Sequence, residues 1–405
     1  MFERTKNLRL SVIKQMELRA SKFPDVISLA QGVPSFDTPE CIKRRVELAL
    51  KNGVVAKYSL SPGLSELREL IEVKLAEAGM FYDFEKEIIV TAGSIEGITA
   101  TLFAITNPGD EVIIPEPTYT SYREVILLAG CQPVFVTLNE EKGWAFPALG
   151  GSASGGDLSA WEKAITPRTK AIFYCNPNNP TGTIYSKEQL LGLAELAKKH
   201  NLYLISDEVY KDFIFDSNEK IFSLAELPEL RKRVIRLFSF SKSYAMTGWR
   251  VAYLHTDESI AQEILKVHDS LVTCAPVVSQ YAAMGALEMG DRDIEFFNRE
   301  YQNRRDLICR RLDKLSHIFS YVRPTSAYYV FPKILKNDFD FDEPKDCPNS
   351  SSWRFAIGLL KRAQVATVPG VAFGPSGEGH VRMSFGRSEA DINRAFDRME
   401  KLFNA

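Results

Sequence analysis

The stretch Arg236-Leu-Phe-Ser239-Phe-Ser241-Lys242-Ser-Tyr-Ala-Met-Thr-Gly248-Trp249-Arg250 decides how the rest of the chain is read. An apolar, β-rich run from Val234 to Phe240 ends in Ser-x-x-Lys. A short polar loop is expected next, before Gly248-Trp249-Arg250 opens a second apolar run, Val251 to Leu254. A lysine at the end of a buried strand is partly desolvated, and Arg250 is a candidate cationic neighbour. Both effects lower an amine's pKa and free its lone pair to attack a carbonyl. Ser239, Ser241 and Arg250 are candidates to hold a phosphate beside it.

Two plainer readings compete. A lysine after a strand is commonly just solvated. Ser239-x-x-Lys242 also matches the serine-nucleophile motif of penicillin-binding proteins and β-lactamases. Those enzymes need Ser-Asp-Asn and Lys-Thr-Gly as well, and this chain has neither. Residues on both sides of the stretch therefore have to arbitrate.

Outward from the lysine, strand and helix patterns alternate. Strands are expected over Glu87–Thr91, Glu111–Pro115, Pro133–Leu138, Thr169–Cys175, Leu202–Ser206 and 234–240. Helices are expected over Ile95–Ile105, from Glu116-Pro-Thr-Tyr119 onward, and over Ser186–His200. Asp157 is a plausible cap for a short helix to Ile165. Such alternation argues for a mostly parallel sheet covered on both faces. Ligands of such sheets gather at the C-terminal ends of the strands. Ser94, Asn179, Asp207 and Lys242 all fall at such ends, and this convergence carries the argument.

Before this unit come a helix over Ser11–Ser21, a strand broken by Gly32 and Pro34, and a helix capped by Thr38-Pro39-Glu40 that runs to about Asn52 with proline at its first position. Tyr58-Ser-Leu-Ser-Pro62-Gly63 reads as a loop. After Thr256 the chain is mainly helical to about Leu315. Short strands, helix 351–363, strand His380–Phe385 and helix Ser388–Phe403 then form a smaller α+β unit. The expected division is an N-terminal arm with part of the small unit at 1–45, a large unit at 46–295 and a small C-terminal unit at 296–405. Residues 148–156 are a Gly/Ser/Ala patch, read as a surface loop, and 337–350 an acidic loop.

Lysine imine plus phosphate clamp describes a pyridoxal-phosphate site. That cofactor's ring nitrogen must stay protonated, which a carboxylate beneath it ensures. Asp207 is the candidate, although an isolated Asp-Glu pair is more often a cap or loop acid. Asn179 and Tyr210 are candidate donors to the ring oxygen. Arg382, on a tail strand, is a candidate bidentate partner for a substrate carboxylate, against the ordinary reading of a surface ion-pair partner.

Taken together these motifs resemble the class I/II aminotransferase family, pyridoxal-phosphate enzymes of fold type I, and within it the aspartate-aminotransferase-like branch. The resemblance runs from about Val26 to Phe403. It rests on Gln31-Gly-Val-Pro-Ser-Phe36, Lys57-Tyr58 with Pro62-Gly63, Thr91-Ala-Gly-Ser94, Pro117-Thr-Tyr119 and Asn179-Pro-Thr-Gly182. It rests also on Asp207-Glu-Val-Tyr210, Ser239-Phe-Ser-Lys242 with Gly248-Trp-Arg250, and Val381-Arg382-Met-Ser-Phe385.

The resemblance implies a seven-stranded, mostly parallel sheet between helices, with a smaller α+β domain. It implies that Lys242 carries pyridoxal 5'-phosphate covalently and later shuttles a proton. Asp207 would pair the ring nitrogen, Asn179 and Tyr210 the ring oxygen, and Tyr119 would stack on the ring. Ser94, Ile95, Ser239, Ser241 and Arg250 would hold the phosphate, joined by Tyr58 of a second subunit. Gly32, Asn179 and Arg382 would hold the substrate carboxylate. The expected enzyme is a homodimer with shared sites that passes an amino group from an amino acid to a 2-oxo acid. A C–S β-lyase on the same fold is the alternative. A transcription regulator that embeds this fold needs a DNA-binding domain, for which there is no room before Val26.

Three departures bear on substrate choice. Ser326-Ala-Tyr-Tyr329 stands where many relatives have Gly-Ala-Phe-Tyr. Residues 148–156 look inserted. Ile95-Glu96 stands where many relatives have a lysine or similar polar residue.

Composition agrees with this reading. The 405 residues suffice for a large α/β domain with an appendage, and 45% are apolar. Lys and Arg total 50 against 52 Asp and Glu, which lacks the basic excess needed for nucleic acid or an anionic membrane. The six scattered cysteines lack Cys-x-x-Cys and read as reduced, cytoplasmic thiols. The five histidines lack a metal-binding spacing, so no metal is expected. No apolar run is long enough to span a membrane, and the charged N-terminus lacks a signal-peptide core.

Overall fold

The computed structural model describes residues 5–146, 159–215, 221–337, 339 and 349–404. The Gly/Ser/Ala patch, the cap assigned to Asp157 and most of the acidic loop lie outside them.

Seven strands form the main sheet: β1 Ile88–Thr91, β2 Glu111–Glu116, β3 Gln132–Thr137, β4 Thr169–Cys175, β5 Tyr203–Asp207, β6 Val234–Ser239 and β7 Ala252–His255. Their spatial order is β1-β7-β6-β5-β4-β2-β3. β7 alone runs antiparallel to its neighbours β1 and β6, and the other pairings are parallel. Every residue of β1, β2, β6 and β7 is buried. Continuous runs such as Ile88-Ile-Val-Thr91 suit a sheet covered by helices on both faces. β7 follows from the short path after Lys242. The connection, residues 240–251, holds only the turn Phe240–Ser243 and the turn Thr247–Trp249 and no helix long enough to cover the sheet, so the chain returns antiparallel.

The covering helices are well specified locally. Ser186 caps the helix Lys187–His200 through a capping box with Gln189. Helices Glu40–Lys51 and Val277–Met289 pack on each other. Glu40–Lys51 is continuous through residue 45, and the helix Asp291–Asp313 is continuous through residue 295.

The C-terminal unit is built on a small antiparallel sheet. Val381–Ser384 lies between Tyr329–Val330 and Val368–Pro369. The N-terminal strand Ile27–Ser28 pairs with Val365–Ala366, so the chain's beginning joins its end. Thr38 links this arm to the lysine segment. Its hydroxyl donates to the Ala245 carbonyl at 2.9 Å and accepts from Trp249 Nε1 at 3.0 Å. Pro39 is the cap position of the following helix rather than its first residue, without a side-chain cap, and Glu40 is the first residue.

Candidate active site

The C-terminal ends of the parallel strands meet one cavity of about 740 Å3. Ser94 follows β1, Tyr119 follows β2, Asn179 follows β4, Asp207 ends β5 and Lys242 follows β6. Because β7 is antiparallel, its start brings Arg250 to the same edge. Gly32 and Arg382 arrive from the arm and the small sheet. Apart from Tyr58, every residue assigned above lines this cavity.

Lys242 does not sit in a polar loop as expected. It lies on a one-turn helix, Phe240–Ser243, whose cap Ser239 accepts from the Ser241 N–H. The turn is too short to show a helical period, and its lysine lines the cavity. Its Nζ donates to the Gly32 carbonyl at 2.7 Å. Burial, then the positive charges of Arg382 and Arg250, push its amine down to about 8, against the opposing pull of Asp207. The amine is thus neutral often enough near pH 7 to act as a nucleophile and proton carrier.

Asp207 is 4% exposed. Burial raises its carboxyl to about 6, while Tyr122 and the Val209 N–H pull it back. The Tyr122 hydroxyl donates to Oδ2 at 2.7 Å and the Val209 N–H to Oδ1 at 3.2 Å. A cation placed against this carboxylate would find a countercharge already oriented. Tyr210 is held by the Tyr329 hydroxyl at 3.0 Å, and burial keeps its phenol protonated.

The phosphate candidates form a cup. Ser94 opens the helix Ser94–Ile105 after Gly93, whose φ is +83°. A Cβ at Gly93 would lie 2.3 Å from Arg250 Nη2, so glycine lets the guanidinium reach the turn. Ser239 and Ser241 hydroxyls join at 2.9 Å. Among the described residues, the buried Ser94 hydroxyl has no hydrogen-bond partner. A helix N-terminus, an unpartnered hydroxyl and an arginine suit an anion.

Arg382 is fully buried. Its fork is held by neutral acceptors: Nη1 donates to Asn179 Oδ1 at 3.1 Å and Nη2 to the Ala30 carbonyl at 2.5 Å. The guanidinium lies 4.3 Å from the Tyr329 ring centre, and its Nε has no partner among the described residues. A buried cation held by neutral acceptors is costly unless an anion arrives. Gly32 fits tightly beside it, since a Cβ there would lie 1.8 Å from the Tyr329 hydroxyl.

The sequence profile of aminotransferase class I and II matches residues 24–399. The chain belongs to this family. It is 37% identical to an aspartate aminotransferase of Pyrococcus abyssi, and 36% to aromatic-amino-acid aminotransferase 2 of Thermococcus litoralis. Each alignment covers 97% of both chains. The fold matches that of the aspartate aminotransferase of Thermus thermophilus solved with maleate. That match has a TM-score of 0.88 at 32% identity and covers 100% of this chain and 99% of that one. The protein is thus an aminotransferase of fold type I, and nothing among these relatives favours a C–S lyase.

Three tyrosines of this aminotransferase bear on how the site is completed. Tyr58 is 85% exposed and does not line its own chain's cavity. Tyr122, in contrast, is a site residue that sequence reasoning missed. Its pairing with Asp207 spans 85 positions, and an aromatic on a helix reads as core. The Tyr328 hydroxyl donates to the Gly32 carbonyl at 3.0 Å.

Proposed function

We propose that this aminotransferase binds pyridoxal phosphate at Lys242 and moves an amino group from an amino acid to a 2-oxo acid in two half-reactions. The observation that carries the reading is the single cavity in which Lys242, Asp207, Arg382 and the Ser94–Arg250 cup face one another. The unpartnered Ser94 hydroxyl and Arg382 Nε fit a phosphate and a carboxylate respectively. Bound there, the cofactor supplies a carbonyl that takes the amine and a cationic ring that accepts the electron pair of the substrate α-carbon.

The chain's own residues do the rest. Asp207, ionised and oriented by Tyr122, keeps the proton on the ring nitrogen. Asn179 and Tyr210 would donate to the ring oxygen, and Tyr119 would stack on the ring. Asn179 spends its Oδ1 on Arg382, which leaves its NH2 for donation. Arg382 and the Gly32 backbone orient the α-carboxylate, fixing which α-bond faces the cofactor. With the cofactor bound, the Lys242 amine, its pKa lowered to about 8, would be the group that takes up the α-proton and passes it on.

The substrate side chain meets a wall of Ile13, Leu18, Val33 and Ile95. Lys242, Arg250 and Arg382 are committed, and the lining acid Glu17 is bonded by the Ser28 hydroxyl. This wall favours uncharged, apolar side chains. A panel of donors with 2-oxoglutarate and pyruvate is expected to give higher kcat/KM for large apolar amino acids than for aspartate, by about 10-fold or more. Highest activity on aspartate would instead assign Lys14, the remaining lining cation, to a side-chain carboxylate.

The exposure of Tyr58 supports a dimer in which it reaches the other subunit's phosphate cup. Tyr58→Ala and Lys242→Ala, each impaired alone, should regain activity when unfolded and refolded together. In a shared-site hybrid both lesions fall in one site and the other is native. Hybrids that form without recovering activity would assign Tyr58 to its own chain.

A further inference from the structure

Glu96 stands out because the cofactor site does not use it. It lies in the first turn of the Ser94–Ile105 helix, and its Oε2 accepts from the Ala92 N–H at 3.0 Å, inside the Thr91–Ser94 turn. Its Oε1 lies 3.0 Å from Nδ1 of His268, a fully buried residue of helix Glu258–Val272. The other ring nitrogen, Nε2, lies 3.0 Å from the Ser61 carbonyl in the loop that carries Tyr58. One unbroken path of hydrogen bonds thus joins the phosphate cup to that loop.

We propose that Glu96 and His268 form a buried positioning pair that ties the phosphate turn to the Tyr58 loop through a shared proton. The inventory of donors requires that proton. The Ser61 carbonyl only accepts, so Nε2 carries hydrogen. The contact between Nδ1 and Oε1 then needs a second hydrogen, on the imidazole or on the carboxyl. Without it, a ring lone pair would face a carboxylate in a dry site. The rest of the loop's anchorage does not need it. Ser61 Oγ donates to Asp269 at 2.6 Å, and Gln280 donates to Ser59 Oγ at 3.0 Å while accepting from the Leu64 N–H at 2.7 Å. Within this network Glu96, His268 and Asp269 are the titratable groups. Asp269 faces Ser61 Oγ, and Gln280 is neutral.

The pair acts at a distance from the reacting atoms, so its predicted effect falls on cofactor affinity and loop order. It rests on the pyridoxal-phosphate reading for the first and not for the second. Glu96→Gln supplies the discriminating variant. The amide oxygen can accept from the Ala92 N–H while its NH2 donates to Nδ1 of a neutral His268, whose Nε2–H still serves Ser61. All contacts survive without the extra proton.

Two measurements on folded protein test the proposal. The first is amide hydrogen exchange over Ser59–Gly63 in cofactor-free protein. His268→Ala and Glu96→Ala are expected to exchange there about 10-fold faster than wild type, and Glu96→Gln, which keeps every contact, at the wild-type rate. The second is the dissociation constant for pyridoxal phosphate, read by absorbance titration. Both alanine variants should bind about 10- to 100-fold more weakly, with Glu96→Gln near wild type. The contributions of Lys242 and of the phosphate are common to all the variants, so the differences isolate the pair. Wild-type exchange and affinity in the alanine variants, or a Glu96→Gln protein as loose as Glu96→Ala, would overturn the proposal. Exchange that follows the expected pattern in a protein that binds no pyridoxal phosphate would retain the tie and reject the cofactor reading. Should the alanine variants fail to fold, the wild-type and Glu96→Gln comparison decides alone.

Discussion

Lys242→Ala is expected to lower turnover by at least about 10^4-fold, with the cofactor no longer held covalently. The fold should persist, because the one-turn helix is capped by Ser239 and its Phe240 is buried in the core. Purified wild type should be yellow, and the variant should lose its cofactor on dialysis. The amine's pKa adds a pH test. Its shift down to about 8 follows from burial and two neighbouring guanidinium groups. Below that pH the neutral fraction falls about tenfold per unit. Cofactor uptake by stripped protein should therefore slow by about tenfold between pH 7 and 6 and level off above about 8. Uptake independent of pH across that range would separate the amine from the rate-limiting step. Normal turnover in the alanine variant would remove Lys242 from the chemistry.

Asp207→Ala is expected to keep binding the cofactor but to slow the half-reaction with an amino acid by about 10^3-fold. The phosphate cup is untouched, which preserves binding. The loss arises because no carboxylate remains to hold the ring nitrogen's proton. The Tyr122 hydroxyl also loses its acceptor, a penalty of about 1–3 kcal/mol in a buried site. Asp207→Ala combined with Tyr122→Phe removes both partners and should recover stability without recovering rate. Stopped-flow absorbance of the half-reaction and thermal unfolding separate these effects. A half-reaction at wild-type speed in Asp207→Ala would exclude the carboxylate from the mechanism.

The sheet could be read from the chain because its strands are short, continuous apolar runs separated by helical periods. Thr169–Cys175 matches its observed bounds, and Val234 to Phe240 overruns β6 by one residue. A strand buried on both faces has no alternation to misplace, so burial and β-branching suffice. The cavity was readable for the same reason, since strand ends converge once the parallel order is known. Other features left no local trace. Tyr122 meets Asp207 only through the fold, and Glu96 meets His268 across 172 positions. A helix of one turn at Lys242 carries no period, and the small sheet's strands Tyr329–Val330 and Val368–Pro369 are too short to alternate. Tyr58 was readable as a loop residue, but its exposure only becomes informative beside a cavity that lacks it.

The central claim is that one particular amine carries the cofactor. Two lysines line the cavity, Lys242 at its base and Lys14 on the helix Val12–Ala20. Reduction of the pyridoxal-phosphate-loaded protein with borohydride, followed by proteolysis and mass spectrometry, identifies the amine that holds the cofactor. The reduced adduct is expected on the peptide containing Lys242 and on no other. An adduct at Lys14, or one on Lys242→Ala protein in the same yield as on wild type, would contradict it.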